Sequence, residues 1–228
     1  MNLSDLPDIQ ITRHIRSTRL RLKVGQQQIK LTAPVFCTQR QIQQFIQQSE
    51  QWLIETWYQQ QQKIEQVDRT LPNELALFNQ AQAIAIVYQK QKQSFSLDLA
   101  TQQLFISDRQ PESYLKAFVI EYAKQYLPQY LTEVAQACHV PFGQCSIRQP
   151  KTRWGSCTSK HDIMLNSALV LFPQAIVRYV CVHELAHTQH FDHSPQFWSV
   201  VQQHDAMFKQ HRKILKTTAL PYWWNASV

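Results

Sequence analysis

Two histidines four residues apart, with a glutamate directly after the first, form the motif His183–Glu184–Leu185–Ala186–His187. Residues at this spacing lie on one face of a helix, so both imidazoles can reach the same ion. Imidazole nitrogen is a common zinc ligand, and a catalytic zinc site combines three protein ligands with a water molecule. Glu184 follows the first ligand directly, so its carboxylate can take a proton from that water without binding the ion. We therefore predict a zinc site in which Glu184 is the general base.

A third protein ligand is needed, and His193 lies six residues beyond His187. Ser194 and Pro195 favour a new helix directly after it, as N-cap and first helical residue. A chain that leaves one helix and turns before the next can return the His193 side chain to the metal. The spacing equals that of the last two histidines in the metzincin pattern HExxHxxGxxH, but His190 replaces its glycine, so a metzincin fold is not implied. We predict one zinc ion, held by His193 and the two histidines of the motif.

Carboxylates near the motif are expected to orient the ligand histidines. Metal-bound histidines usually donate their second ring nitrogen to a carboxylate or a carbonyl. Asp162, Asp192 and Asp205 are the nearby acidic candidates, and the sequence gives no basis for choosing among them.

The motif must lie on a helix that is packed against the rest of the protein. Pro173 marks the start of this helix, and we expect it to end near Phe191. Its apolar residues recur at helical spacing, which predicts a buried face. These residues are Ile176, Val177, Val180, Cys181 and Ala186. A second helix is predicted from Pro111, and Pro128 inside it should kink it or divide it in two.

Short strands dominate the first half of the chain. Leu22 and Val24 alternate with basic residues, which predicts one arm of a hairpin whose second arm is residues 29–33. Thr38 is the expected N-cap of one long amphipathic helix. Four apolar runs between residues 75 and 106 predict an antiparallel sheet. The predicted fold class is α+β, with a small β-rich N-terminal subdomain containing one long helix at residues 1–107 and a metal-binding catalytic domain at residues 108–228.

The charge distribution allows a second kind of partner. The net charge is +7, and residues 9–49 contain no acidic residue. The basic residues of this stretch are Arg13, Arg16, Arg19, Arg21, Lys23, Lys30 and Arg40. A solvated strand face is the simpler interpretation, and contact with nucleic acid or a polyphosphate is the alternative. With only three glycines in the chain, a glycine-rich phosphate loop is excluded.

Composition also limits the compartment. The five cysteines form no CxxC pair, which argues against a disulfide framework and an all-cysteine zinc site. No apolar run approaches the roughly 20 residues that span a bilayer, so no membrane contact is predicted. The first ten residues carry two aspartates and no apolar stretch, so we expect a cytoplasmic protein.

Several short motifs accompany the histidines in a fixed order. They are Thr152–Arg153–Trp154–Gly155–Ser156–Cys157, Leu165–Asn166, Pro173, Tyr179–Val180, the His183–His187 motif and His193–Ser194–Pro195–Gln196–Phe197–Trp198. In this order and spacing they resemble the YgjP-like metallopeptidase family and, more loosely, the SprT-like proteases. The resemblance implies a zincin-like α+β fold, a single zinc ion, the three histidines as its ligands and Glu184 as the catalytic residue. It is specific from about residue 145 onward and fainter in the N-terminal half.

Three functions remain open at this point. The first is a metallopeptidase that acts on a peptide or protein substrate. The second is a metal-dependent nucleoside triphosphate (UTP) pyrophosphatase, a label that some family members carry and that would give the basic surface a role. The third is a non-catalytic binding module with a structural zinc, although such a site is usually closed by four protein ligands.

The region before the motif is a candidate for substrate binding. Zincins pair an extended substrate with a strand edge above the active-site helix, and we expect residues 163–166 to form that edge. Arg153 and Asn166 are the candidate substrate contacts. The alternative is that Trp154 anchors the core and Arg153 is a buried hydrogen-bonding residue.

Overall fold

The chain folds into two compact units, Met1–Asp68 and Arg69–Val228. The computed structural model describes residues 5–25, 27–65 and 69–225, and the side chains of 63–65 are outside that description. The expected domain boundary, between residues 107 and 108, differs from this division. The sheet that precedes residue 107 shares one hydrophobic core with the helices that follow, so it belongs with them.

The first unit is built on a three-stranded sheet. Its strands are β1 (Ile9–His14), β2 (Arg21–Val24) and β3 (Ile29–Pro34), in the order β1-β3-β2. β2 and β3 pair antiparallel, which confirms the predicted hairpin, and β1 pairs parallel with β3. Arg21 and Lys23 point to solvent while Val24 is buried, as the alternation predicts.

Two helices, rather than one, follow this sheet. Helix α1 (Gln39–Gln48) begins at Thr38, whose hydroxyl accepts from the Gln41 backbone N–H at 3.3 Å while the Gln41 side chain accepts from the Thr38 N–H at 2.9 Å. This capping box confirms the predicted N-cap. The prediction of one long helix was wrong. Ser49 leaves helical geometry at φ −98° and ψ 3°, and α2 (Glu50–Glu65) begins after it.

The second unit opens with a four-stranded sheet. Its strands are β4 (Glu74–Leu75), β5 (Ile84–Gln89), β6 (Phe95–Asp98) and β7 (Gln103–Ser107), in the order β4-β5-β7-β6. The antiparallel prediction holds for β4–β5 and β6–β7. It was wrong for β5 and β7, which pair in parallel because β6 takes the outer position.

A long central helix carries the core of this unit. Helix α3 (Pro111–Cys138) has proline at its first turn and runs without interruption through Pro128. Its buried side chains pack with the sheet and with the helices that follow. The alternation of short sheets and packed helices confirms the α+β fold class.

The region that contains His183, His187 and His193 lies between a small sheet and a group of helices. Strands β8 (Cys145–Arg148), β9 (Gly155–Cys157) and β10 (Ile163–Asn166) form a sheet in the order β8-β10-β9. A 3₁₀ turn at Ser167–Leu171 leads into four helices. These are α4 (Gln174–Ala186), α5 (Pro195–His204), α6 (Phe208–Thr217) and α7 (Tyr222–Asn225).

Two expectations from the sequence were wrong in this region. The edge strand was expected at residues 163–166, but β10 lies between β8 and β9, which form the two edges of the sheet. Helix α4 ends at Ala186, earlier than the expected end near Phe191. Among the residues that the structure describes, no helix is both long and apolar enough to cross a lipid bilayer.

Replacement of a core leucine of α3 should destabilise the second unit. Leu131 is 0% exposed, so Leu131→Ala leaves a cavity and should cost about 2–5 kcal/mol of unfolding free energy. Leu99→Ala is the matched control, since Leu99 is 42% exposed. Urea denaturation followed by circular dichroism measures both. Equal losses in the two variants would contradict the placement of the core.

Candidate metal centre

Three histidines from one helix and one loop converge on a single point. The ligand atoms of His183, His187 and His193 all lie within 4.8 Å of one another. His183 lies in the last turn of α4, His187 is the C-cap of that helix, and His193 lies in the loop before α5. The Ser194 hydroxyl accepts a hydrogen bond from the Phe197 N–H at 3.4 Å, which confirms the predicted N-cap and fixes the end of that loop.

The spacing of two ring nitrogens fits a shared metal ion. Nε2 of His183 and Nε2 of His193 are 3.2 Å apart. Two nitrogens that each lie about 2.0–2.1 Å from one zinc ion in tetrahedral geometry are separated by about 3.3 Å. This pair of rings thus has the spacing that a zinc site requires, and the ligand atom of His187 lies within 4.8 Å of both.

A backbone carbonyl orients one of the rings. Nδ1 of His187 lies 3.0 Å from the carbonyl oxygen of His190. A carbonyl can only accept, so Nδ1 carries the proton and Nε2 keeps its lone pair. The expectation of an orienting carboxylate is not met. Among the described residues, the hydrogen bonds of Asp162, Asp192 and Asp205 go to groups other than the three histidines.

Aromatic packing and burial favour the neutral form of His183 and His187. The His183 ring packs against Phe197 and Trp198, with ring centroids 4.9 and 5.7 Å away. Burial, together with the neighbouring His187, lowers the pKa of His183 to about 3. Burial also lowers the pKa of His187. Since only neutral imidazole has a lone pair for a metal, this environment favours the ligand form.

Glu184 is a buried carboxyl group beside the ligands. It is 5% exposed, and burial raises its pKa to about 8, with the positive charge of Arg153 acting in the opposite direction. A carboxyl group with such a pKa can both accept and release a proton near neutral pH.

The backbone of β9 lies directly against the Glu184 side chain. A Cβ atom at Gly155 would lie 2.5 Å from Oε1 of Glu184 and 2.6 Å from its Cδ and Cγ. Any other residue at position 155 would require the Glu184 side chain to shift, so the glycine of the Trp154–Gly155–Ser156 segment leaves room for it. The edge strand and the carboxyl group therefore determine each other's position.

The structure gives the two candidate substrate contacts different environments. Arg153 is exposed and lines the cavity next to Glu184. Asn166 is 5% exposed, and its amide donates to the carbonyls of Pro150 and Arg153, each at 3.0 Å. Its side-chain oxygen accepts from the Ala168 N–H at 3.0 Å. These bonds satisfy both amide hydrogens, so the geometry favours a role for Asn166 in holding the loop that carries Arg153.

Other residues at the site were not among the predicted metal-binding, catalytic or substrate-binding residues, although Tyr179 and Trp198 lie in the motifs that carry the family resemblance. A cavity of about 510 Å³ beside His183 and Glu184 is also lined by Tyr179, Trp198 and Arg212. Tyr179 lies one turn before His183, so helical spacing could have identified it. Nothing in the local sequence places Arg212 of α6 at this cavity.

The chain is similar to a known protein family and, in part, to two solved structures. The YgjP-like, metallopeptidase domain family model matches residues 18–218. No curated protein matches the chain. Two crystal structures of metallopeptidase zymogens are similar in part. Abylysin of Pyrococcus abyssi is 22% identical over 40% of this chain and 94% of its own, with a TM-score of 0.35. Jannalysin of Methanocaldococcus jannaschii is 18% identical over 41% of this chain and 97% of its own, with a TM-score of 0.36.

The family match spans most of both compact units, and it includes the three converging histidines and the segment that contacts Glu184. The protein belongs to the YgjP-like metallopeptidase family.

Proposed function

We propose that this protein is a zinc-dependent peptidase in which His183, His187 and His193 bind one zinc ion and Glu184 moves the proton. The convergence of the three ligand atoms within 4.8 Å is the observation that carries the proposal. The family match supports the same reaction class.

The ligand set favours a catalytic ion over a structural one. Structural zinc is usually enclosed by four protein ligands, whereas a catalytic ion keeps a position for water or substrate. Among the described residues, the metal-ligating group at this place has three members, and His193 is exposed. A structural site would also leave the buried carboxyl group of Glu184 without a purpose.

Glu184 supplies the proton transfer. When bound, zinc supplies Lewis acidity, which lowers the pKa of water to about 7 and polarises a carbonyl group. A Glu184 carboxylate oxygen accepts the proton of the attacking water and then releases it to the departing amine nitrogen. The raised pKa of this buried group suits both steps, because the carboxyl form is stable enough to carry the proton.

The free edge of β9 is the proposed docking line for the peptide backbone. β9 is an edge strand whose first residue, Gly155, lies against Glu184. An extended peptide that adds to this edge would present a carbonyl group near the three histidines. Arg153 directly precedes this strand and is the proposed substrate contact.

UTP and nucleic acid have less support as partners than a peptide does. The family match concerns metallopeptidases, which supports a peptide rather than UTP as the substrate. In the basic stretch, Arg13 already donates hydrogen bonds to the carbonyls of Val35 and Cys37, at 3.1 and 2.6 Å. Nucleic-acid contact through this stretch and a cytoplasmic location stay predictions.

Replacement of Glu184 should separate catalysis from metal binding. Glu184→Gln keeps the shape but removes the proton acceptor, so kcat/KM for peptides should fall by about 10²- to 10⁴-fold while zinc stays stoichiometric. Mass spectrometry of the peptide products measures cleavage, and elemental mass spectrometry measures the bound zinc. If the variant loses pyrophosphate release from UTP instead, the nucleotide function is correct.

Removal of the third ligand should weaken zinc binding. His193→Ala leaves two imidazoles, so the Kd for zinc should rise by at least about 100-fold in a titration against a competing chelator. His190→Ala is the matched control, because His190 contributes its backbone carbonyl rather than its ring. Unchanged zinc affinity in His193→Ala would reject this ligand.

A methyl group at Gly155 should disturb Glu184 without removing the metal. Gly155→Ala puts a Cβ in the space of the Glu184 side chain, so kcat/KM should fall about 10- to 100-fold with zinc affinity retained. Gly25→Ala is the control, since a Cβ there meets only atoms of Gln28, the nearest at 3.1 Å. Wild-type activity in Gly155→Ala would show that the contact has no catalytic importance.

A further inference from the structure

The cavity beside the histidines has an excess of positive charge. Three cationic side chains line it, those of Arg153, Arg212 and Lys216, against the single carboxyl group of Glu184. Its volume of about 510 Å³ is typical of a pocket that holds a small ligand or a substrate side chain. The charge pattern therefore favours an anionic group on whatever enters.

Helix α6 provides one wall of this cavity. Arg212 and Lys216 are four residues apart and lie on one face of the helix, next to Leu215. Leu215 is buried and lines the same cavity, which directs this face toward it. The helix contains no acidic residue, so neither cation has a partner along its own element.

Aromatic stacking holds Arg212 in place. Its guanidinium group lies 4.9 Å from the centroid of the Trp198 ring, and Trp198 stacks on His193 with centroids 5.6 Å apart. When the face of a guanidinium group stacks on an aromatic ring, the N–H groups at its edge remain able to donate to a carboxylate. The stack therefore connects a fixed cation to one of the proposed zinc ligands.

The cations that line the cavity outnumber the acidic groups there, and Glu184 is the carboxyl group on which the charge of Arg153 acts. Within the described ranges, no ion pair or side-chain hydrogen bond is found for Arg153, Arg212 or Lys216. Asp205, an acidic residue of the α5–α6 connection, is occupied by His211 at 2.8 Å. The positive charge is thus available to a ligand.

We propose that this cavity is a carboxylate-binding subsite for the peptide substrate, with Arg212 as the main contact and Lys216 and Arg153 as supporting cations. The inference rests on the proposed peptidase function and names its substrate class. The carboxylate has two possible sources, an acidic side chain near the scissile bond or the free C-terminus of the peptide.

Three matched peptides distinguish the sources. One carries glutamate near the cleaved bond and an amidated C-terminus, the second carries glutamine and a free C-terminus, and the third carries glutamine and an amide. The zinc-loaded enzyme should cleave one of the first two with a kcat/KM about five- to tenfold above the third. Because the contact is electrostatic and partly exposed, this ratio should decrease at 1 M salt.

Substitutions at two neighbouring positions of α6 test the role of Arg212. Arg212→Gln should reduce the ratio of kcat/KM for the carboxylate peptide to kcat/KM for the neutral peptide to about one. Arg212→Lys should restore part of this ratio, because charge remains while the planar fork is lost. Lys213→Gln is the matched control, since it removes the same charge from α6 at a position outside the cavity lining. Its ratio should equal that of the wild type.

A binding measurement separates this inference from the proposed function. The peptides are titrated into zinc-loaded Glu184→Gln protein, and the fluorescence of Trp154 and Trp198, which line the cavity, reports occupancy. Tighter binding of a carboxylate peptide, lost when Arg212→Gln is added, supports the subsite even if wild-type protein cleaves no peptide. Cleavage of all three peptides at equal rates, with equal binding, overturns the subsite and leaves the peptidase function intact.

Discussion

The approach of three imidazoles to one point is the constraint on which the rest of the site depends. Such an approach is costly to arrange, because polar ring atoms that leave solvent need partners within the protein. Burial and aromatic packing around His183 hold its ring, and the His190 carbonyl holds that of His187. The packed helix α4 and the fixed loop before α5 thus prepare a site whose completion requires a cation.

The same packing determines the position of Glu184, the proposed proton carrier. Glu184 points toward β9, where the absence of a side chain at Gly155 leaves room for its carboxyl group. Asn166 holds the loop before β9 through bonds to two of its carbonyls. Strand β9, the loop before it and the Glu184 carboxyl group are therefore packed together. Arg153 lies in that loop and lines the cavity. The raised pKa of Glu184 results from this close packing.

Local spacing predicted the parts of the site that depend on one helix or one turn. The motif on α4 and the Ser194 cap after His193 follow from short-range rules, as does the capping box at Thr38. The break at Ser49 and the parallel pairing of β5 with β7 depend on tertiary packing, which local periodicity does not report. The same reason explains why β10 was taken for the edge strand, and why Arg212, far along the chain, was missed.

The central claim is that three histidines hold one zinc ion and leave a coordination position for chemistry. X-ray absorption spectroscopy at the zinc edge, on protein loaded with one equivalent of zinc, tests it most directly. The account predicts three imidazole nitrogens at about 2.0–2.1 Å and an additional oxygen ligand. A shell completed by a fourth protein ligand, such as a cysteine sulfur at about 2.3 Å, would contradict it.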